Sequence, residues 1–197
     1  GGEFDEIDGQ PRIKFAKINK TTSELDTFCK PSIESSIKSI KVVGNYIYVG
    51  GNFHTVTQPN LDQETRNNLL RLNNNQNCTL DSWDPNINGT VYAMDYDQDH
   101  LYIGGAFNLV GVGESQVDVS EFTRISLEHG TADWNCKPCF ISEELEPMTV
   151  YSIILSDDYI YVGGSFIYVL TAQENLADRY GLARLNSSDC SLDHWSP

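Results

Sequence analysis

Short stretches of alternating apolar and polar residues recur along the chain, and none keeps the 3.6-residue period of an amphipathic helix. Three of them run into a glycine pair: Tyr46-Ile47-Tyr48-Val49, Leu101-Tyr102-Ile103 and Tyr159-Ile160-Tyr161-Val162. The pair opens the motif Gly-Gly-x-Phe, found as Gly50-Gly51-Asn52-Phe53, Gly104-Gly105-Ala106-Phe107 and Gly163-Gly164-Ser165-Phe166. The same motif, Gly1-Gly2-Glu3-Phe4, opens the chain. Self-similarity at a period of roughly 50–60 residues points to a repeat architecture.

The rest of each unit repeats too. A strand here termed A precedes the glycine strand B: Ile37-Lys38-Ser39-Ile40, Val91-Tyr92-Ala93-Met94 and Val150-Tyr151-Ser152-Ile153. Polar turns at Gly44-Asn45, Asp97 to Asp99 and Asp157-Asp158 join A to B. A long variable loop follows Gly-Gly-x-Phe. Strand C comes next: Phe15-Ala16-Lys17-Ile18, Leu69-Leu70-Arg71-Leu72, Thr123-Arg124-Ile125-Ser126-Leu127 and Leu182-Ala183-Arg184-Leu185. A closing motif D completes the unit as Leu25-Asp26-Thr27-Phe28, Leu80-Asp81-Ser82-Trp83, Asp133-Trp134 and Leu192-Asp193-His194-Trp195, with a proline soon after each. Four short strands per unit, bounded by Gly, Asn and Asp turns, predict an all-β fold of β-propeller-like tandem repeats. The expected organisation is one repeat domain over residues 1–197. It has about four antiparallel blades: a partial unit 1–31, then 32–85, 86–138 and 139–197.

The segment Trp83-Asp84-Pro85-Asn86-Ile87-Asn88-Gly89-Thr90-Val91-Tyr92-Ala93, with Gly-Gly-x-Phe and Leu-Ala-Arg-Leu-Asn, resembles the delta-sixty repeat β-propeller family. The resemblance covers the whole chain and implies an extracellular repeat protein, mostly without an assigned activity. The chain departs from that pattern in its cysteines, in its long insertions after Gly-Gly-x-Phe and in the closing motif at Asp133-Trp134, which lacks the leucine.

The frame of the repeat starts inside strand B at Gly1 and stops at Pro197, where a new strand A is expected. An unpaired sheet edge recruits another strand. The expectation is therefore a segment of a longer array, a ring closed by residues outside the segment, or a strand donated by a neighbour. No signal peptide opens the segment.

Charge narrows the partners. With 13 basic against 28 acidic residues the net charge is −15, which argues against nucleic acid and anionic membranes. No apolar run is long enough to span a bilayer.

Five cysteines, Cys29, Cys78, Cys136, Cys139 and Cys190, leave one without a partner in the chain. Cys29 and Cys136 occupy equivalent positions, as do Cys78 and Cys190. Cys136-Lys137-Pro138-Cys139 lies in a β junction rather than at a helix N-terminus, which favours a local structural disulfide over a redox site; Cys29 is the competing partner for either. Zinc would need a second ligand pair, and none is present. Sequons at Asn19, Asn77, Asn88 and Asn186 predict N-linked glycans, three of them in C–D turns, and with the cysteines place the chain outside the cell or on its surface.

No catalytic, cofactor or metal site is expected. Gly-Gly-x-Phe ends a strand and is no phosphate loop. Phe28, Trp83, Trp134 and Trp195 recur once per unit and read as core between blades. Lys17, Arg71, Arg124 and Arg184 on strand C are expected to pair with Asp26, Asp81, Asp133 and Asp193 on strand D. The four histidines fall at unrelated repeat positions and suggest no nucleophile. Acidic pairs such as Asp157-Asp158 and Glu143-Glu144 lack calcium-loop spacing.

Function is expected in the B–C loops, roughly 54–65, 108–121 and 167–178. Val110, Val112, Val117, Val119, Tyr168 and Leu170 are candidate partner contacts, alongside Ile167 and Val169. The leading expectation is a non-enzymatic structural or assembly unit of an extracellular fibre, coat or appendage. Its partners would be copies of itself or neighbouring repeats. The alternative is a cell-surface module binding glycan or protein through those loops.

Overall fold

The computed structural model describes residues 1–136, 138–142, 148–170 and 175–197. Residues 1–31 hold β1 (Glu6–Ile7) and β2 (Gln10–Pro11). Residues 32–85 hold β3 (Ser32–Ile33), β4 (Ile37–Val43), β5 (Tyr46–Gly51), β6 (Thr55–Thr57), β7 (Gln63–Thr65) and β8 (Leu69–Asn73). Residues 86–138 hold β9 (Thr90–Tyr96), β10 (His100–Ala106), β11 (Leu109–Val110), β12 (Val117–Asp118) and β13 (Phe122–Ser126). Residues 139–197 hold β14 (Cys139–Ile141), β15 (Val150–Ser156), β16 (Tyr159–Gly164), β17 (Tyr168–Leu170), β18 (Leu176–Asp178) and β19 (Leu182–Asn186). The only helical piece among the described residues is a single 3-10 turn, Gly113–Ser115. The chain is all-β, built from several small antiparallel sheets.

Strands A, B and C form the three-stranded sheets β4-β5-β8, β9-β10-β13 and β15-β16-β19. Strand D, expected as a fourth strand, is reduced to one bridge per unit: Leu72↔Leu80, Ile125↔Ala132 and Leu185↔Leu192. In residues 1–31 strand C is likewise only the bridge Ile18↔Leu25. The closing aspartate explains the short ladder. Its own N–H bonds strand C, as in Asp81 N–H to Arg71 O at 2.9 Å. Its carboxylate then accepts the N–H two residues on, as from Trp83 at 2.9 Å and Trp195 at 2.8 Å. This local turn consumes the donors a longer ladder would need.

The B–C segments, expected as loops, are mostly small sheets. β3-β6-β7 and β14-β17-β18 each join a junction strand to a hairpin, and β11-β12 is a hairpin touched by Ile87 through a bridge to Val110. Part of the last excursion, residues 171–174, lies outside the described residues, as do Lys137 and the Glu143-Glu144 pair.

Each A–B pair carries a register shift at the same place, between Ile37 and Ser39, Gly104 and Gly105, and Val150 and Ser152. Such a bulge brings residues three apart onto one face of strand A. The pairs so aligned are Ile37 and Ile40, Val91 and Met94, and Val150 and Ile153. The second glycine of each pair sits against this bulge. A Cβ on Gly51, Gly105 or Gly164 would collide with the carbonyl of Ser36, Thr90 or Thr149.

Each buried cluster is built mostly within one unit and is completed by a few residues of the unit before it. One buried cluster joins Phe15 and Cys29 to Ile33, Ile37 and Val49. A second joins Tyr48, Leu69 and Trp83 to Val91, Met94 and Ile103. A third joins Tyr102 and Phe122 to Val150, Ile153 and Val162. Burying each large side chain in these clusters contributes on the order of 1.5–3 kcal/mol, and the residues lent by the preceding unit add to the stability of the next.

Candidate functional site

The side chains that recur once per unit converge at the junctions. Arg71 binds Asp81, Arg124 binds Asp133 and Arg184 binds Asp193, all by short charge-assisted contacts between neighbouring segments. Arg124 Nε reaches Asp133 at 2.8 Å. Burial opposes ionisation of Asp133, yet the Asn135 N–H and Arg124 outweigh it and hold the carboxyl below its ordinary value. The first unit departs from the expectation: Lys17 donates to Asn74 Oδ1 at 3.2 Å and Asn75 O at 3.4 Å rather than to Asp26. A lysine has one donor group, and here the neighbouring turn captures it.

That capture is the general rule. The cation on strand C of one unit donates to the C–D turn of the next: Arg71 Nη1 to Leu127 O at 2.5 Å, Arg124 Nη1 to Ser187 O at 2.8 Å and Nη2 to Ser188 O at 3.2 Å. The first glycine of each pair completes the contact. A Cβ on Gly50 would lie 2.7 Å from Val91 Cγ1, and one on Gly1 would lie 2.6 Å from Ile37 Cγ2. Gly104 has the same relation to Val150 and Ile153. The A strands also touch: Asp95 accepts from Lys41 Nζ at 3.0 Å and from the Leu155 N–H at 2.7 Å, linking three units.

The disulfides cross junctions. Cys29 pairs with Cys78 and Cys136 with Cys190. The expected local Cys136–Cys139 bridge does not form, nor does Cys29 pair with either of those cysteines. Cys139 stands in β14 opposite Leu170 and is a free, half-buried thiol, while Cys136 turns toward the next unit.

The closing aromatics separate accordingly. Trp83, at the junction without a disulfide, is 4 % exposed; Phe28 and Trp134, beside disulfides, are 55 % and 67 % exposed. Both are corrections to the expected core. Trp134 directly follows Asp133, one residue earlier than the aromatic of the other units, so it is the Asn135 N–H that bonds Asp133 Oδ1, at 2.9 Å, and the indole is left outside. At Phe28 the Cys29–Cys78 bridge fills the space a ring would take.

A second recurrent arginine escaped the sequence reading. Arg12, Arg66 and Arg179 each donate Nη2 to the carbonyl of the closing aspartate, at 2.7, 3.1 and 2.9 Å, and Nη1 to the preceding residue. The signal was present: each stands three residues before strand C, where residues 86–138 have the buried Val119.

Two of the six candidate partner contacts are core. Val110 and Val119 are buried, Val117, Tyr168 and Leu170 are half-buried in small sheets, and Val112 is exposed. Hairpin formation in the B–C segments turns alternate residues inward. Among the sequons, Asn19, Asn77 and Asn88 are exposed and Asn186 is half-buried. Asn186 donates Nδ2 to Ser191 Oγ at 2.9 Å, and Asn88 donates Nδ2 to Asn108 Oδ1 at 2.6 Å.

Glu121 is another group the sequence did not flag. Its Oε2 is buried without a hydrogen-bond partner, and burial pushes its pKa up to about 7. It lines a pocket with Asn88, Phe107, Asn108 and Met148. Among the described residues no cluster of His, Cys, Asp or Glu is placed to hold a metal, and no helix is long and apolar enough to cross a membrane.

Neither a protein-family model nor a curated protein matches the chain.

Proposed function

We propose that the chain is a β-propeller-like segment of a secreted glycoprotein, akin to the delta-sixty repeats, and serves as a structural or assembly unit without enzymatic activity. The observation that carries this reading is the repeated junction. The same glycine, strand-C cation and turn carbonyls join each described unit to the next, so the chemistry is spent on propagating an array. Contact between successive A strands, through Asp95, supports blades arranged around a common axis. Two disulfides fit an oxidising compartment, and the exposed sequons at Asn19 and Asn77 fit a glycoprotein surface.

A second reading, a binding module, is favoured by one observation: Leu61, Val112 and Leu176, all in B–C excursions, are exposed large apolar residues. Electron microscopy of native glycosylated material separates the two. Regular filaments or sheets with a repeat matching this unit support the assembly role. Isolated ring-shaped particles overturn it and leave the binding module.

A further inference from the structure

The junctions are of two kinds, and the difference lies at one backbone position. Two residues before the closing Leu or Ala, each unit has a residue with left-handed backbone: Ser23 at φ 61°, Cys78 at 48°, Gly130 at 73° and Cys190 at 58°. Where that residue is cysteine, the preceding unit supplies Cys29 or Cys136 and the closing aromatic stays outside. Where it is Gly130, the preceding unit has no cysteine after its aromatic. Trp83 then lies over the glycine and donates Nε1–H to Ser126 O at 3.2 Å. A Cβ on Gly130 would stand 3.1 Å from that indole nitrogen.

The outward face of residues 139–197 is built like the second kind. Arg184 lies 4.2 Å from the Tyr159 ring and 5.5 Å from the Trp195 ring; Arg71 lies 4.2 Å from Tyr46 and 5.4 Å from Trp83. Trp195 stands edge-on to Tyr161 at 5.7 Å, as Trp83 does to Tyr48 at 5.2 Å. Ser196 occupies the place of Cys29 and Cys136. Yet this face is uncovered. Leu182 is 37 % exposed where Leu69 and Phe122 are fully buried, and Ile154, on β15 of the same sheet, is 58 % exposed. Among the described residues a Cβ on Gly163 would meet nothing from another unit; its nearest neighbour is Ser152 Cβ at 3.6 Å.

We propose that this face docks a further unit of the same repeat, and that it selects a unit with glycine at the left-handed turn position. The incoming A strand would place its bulge-aligned apolar pair on Gly163, Trp195 would cover the glycine, and Arg184 would take the turn carbonyls. The inference rests on the repeat-array reading above. A second copy of this chain docking through residues 1–31 does not satisfy it. That unit has Ser23 at the turn, and its described residues include no A strand to fill Gly163.

The test extends the full chain after Pro197 with a second copy of residues 86–138, carrying Cys136→Ser in that copy. The join reproduces the Trp-x-Pro-Asn sequence of Trp83 to Asn86. Trp134→Phe in both copies leaves Trp83, already buried, and Trp195 as the reporter. Iodide quenching of Trp195 is expected to fall several-fold on extension. Gly163→Val is expected to restore it, while leaving the quenching and melting temperature of the unextended chain unchanged, because the site is open there. Equal quenching with and without the extension overturns the docking site. Equal protection in the Gly163→Val extended chain overturns the assigned contact. A protected Trp195 in a protein that forms only isolated rings would remove the structural role while keeping the docking site, so the two readings fail separately.

Discussion

Trp83 closes over Gly130, with its indole N–H on Ser126 O at 3.2 Å, at the described junction that no disulfide crosses. Indole and bridge are alternative fastenings for the same step of the repeat. Trp83→Ala should cost about 3–5 kcal/mol, the range for deleting a buried aromatic, and Phe28→Ala, outside its junction, under about 1 kcal/mol. Urea unfolding of both variants under non-reducing conditions checks the contrast.

Reduction should act on the other two junctions. The bridges close sequence separations of 49 and 54 residues. On the chain-entropy account each is worth about 4 kcal/mol. Cys29→Ala with Cys78→Ala should therefore lower the urea midpoint strongly. Adding reductant should lower it further by opening Cys136–Cys190. Thiol titration of the unreduced protein should find one reactive group, at Cys139.

Arg71 is 8 % exposed and serves Asp81 in its own unit and Leu127 O in the next. Arg71→Ala strands a carboxylate and a carbonyl together and should cost on the order of 3 kcal/mol. Arg71→Lys should recover only part of this, because one ammonium cannot serve both with the same geometry. A double-mutant cycle with Asp81→Asn, read by thermal unfolding, isolates the intra-unit share.

Stability should fall on both sides of mildly acidic pH. Glu121 is raised in the folded state to about 7, so its contribution is full below its unfolded value and is lost as pH rises through about 7. Glu121→Gln should flatten the decline in melting temperature between about pH 5 and about pH 8. Asp133 and Asp97 are lowered instead. Their contribution is present above the ordinary carboxylate value and lost as pH falls through the folded one. Asp133→Asn should therefore weaken the acid limb and leave the alkaline limb alone.

Glycan occupancy should follow the amide nitrogen. Asn19, Asn77 and Asn88 are exposed, but Nδ2 of Asn88 is held by Asn108, as that of the half-buried Asn186 is by Ser191. Glycopeptide mass spectrometry of protein from a eukaryotic secretory host should find high occupancy at Asn19 and Asn77 and low occupancy at the other two. High occupancy at Asn186 would show that modification outruns closure of its turn.

The repeat, the identity of strands A, B and C, and the Arg–Asp pairing in three units were legible along the chain. Each depends on short-range pattern: alternation marks a half-buried strand, and a cation and an aspartate on adjoining segments meet whatever lies beyond. Glycine pairs were legible as close approaches, but not what approaches. One glycine admits the next unit's A strand, and the other admits its own unit's carbonyl. The cysteine pairing and the outward turn of Phe28 were decided by packing between units, and the burial of Val110 and Val119 by the folding of the B–C segment onto the core. A repeat sequence writes the same residue at equivalent places, and its burial depends on which neighbour covers it. Composition and alternation therefore determined what each unit is made of, while the tertiary structure decided how one unit is fastened to the next, because each core is completed by residues of the preceding unit that lie far away in the sequence.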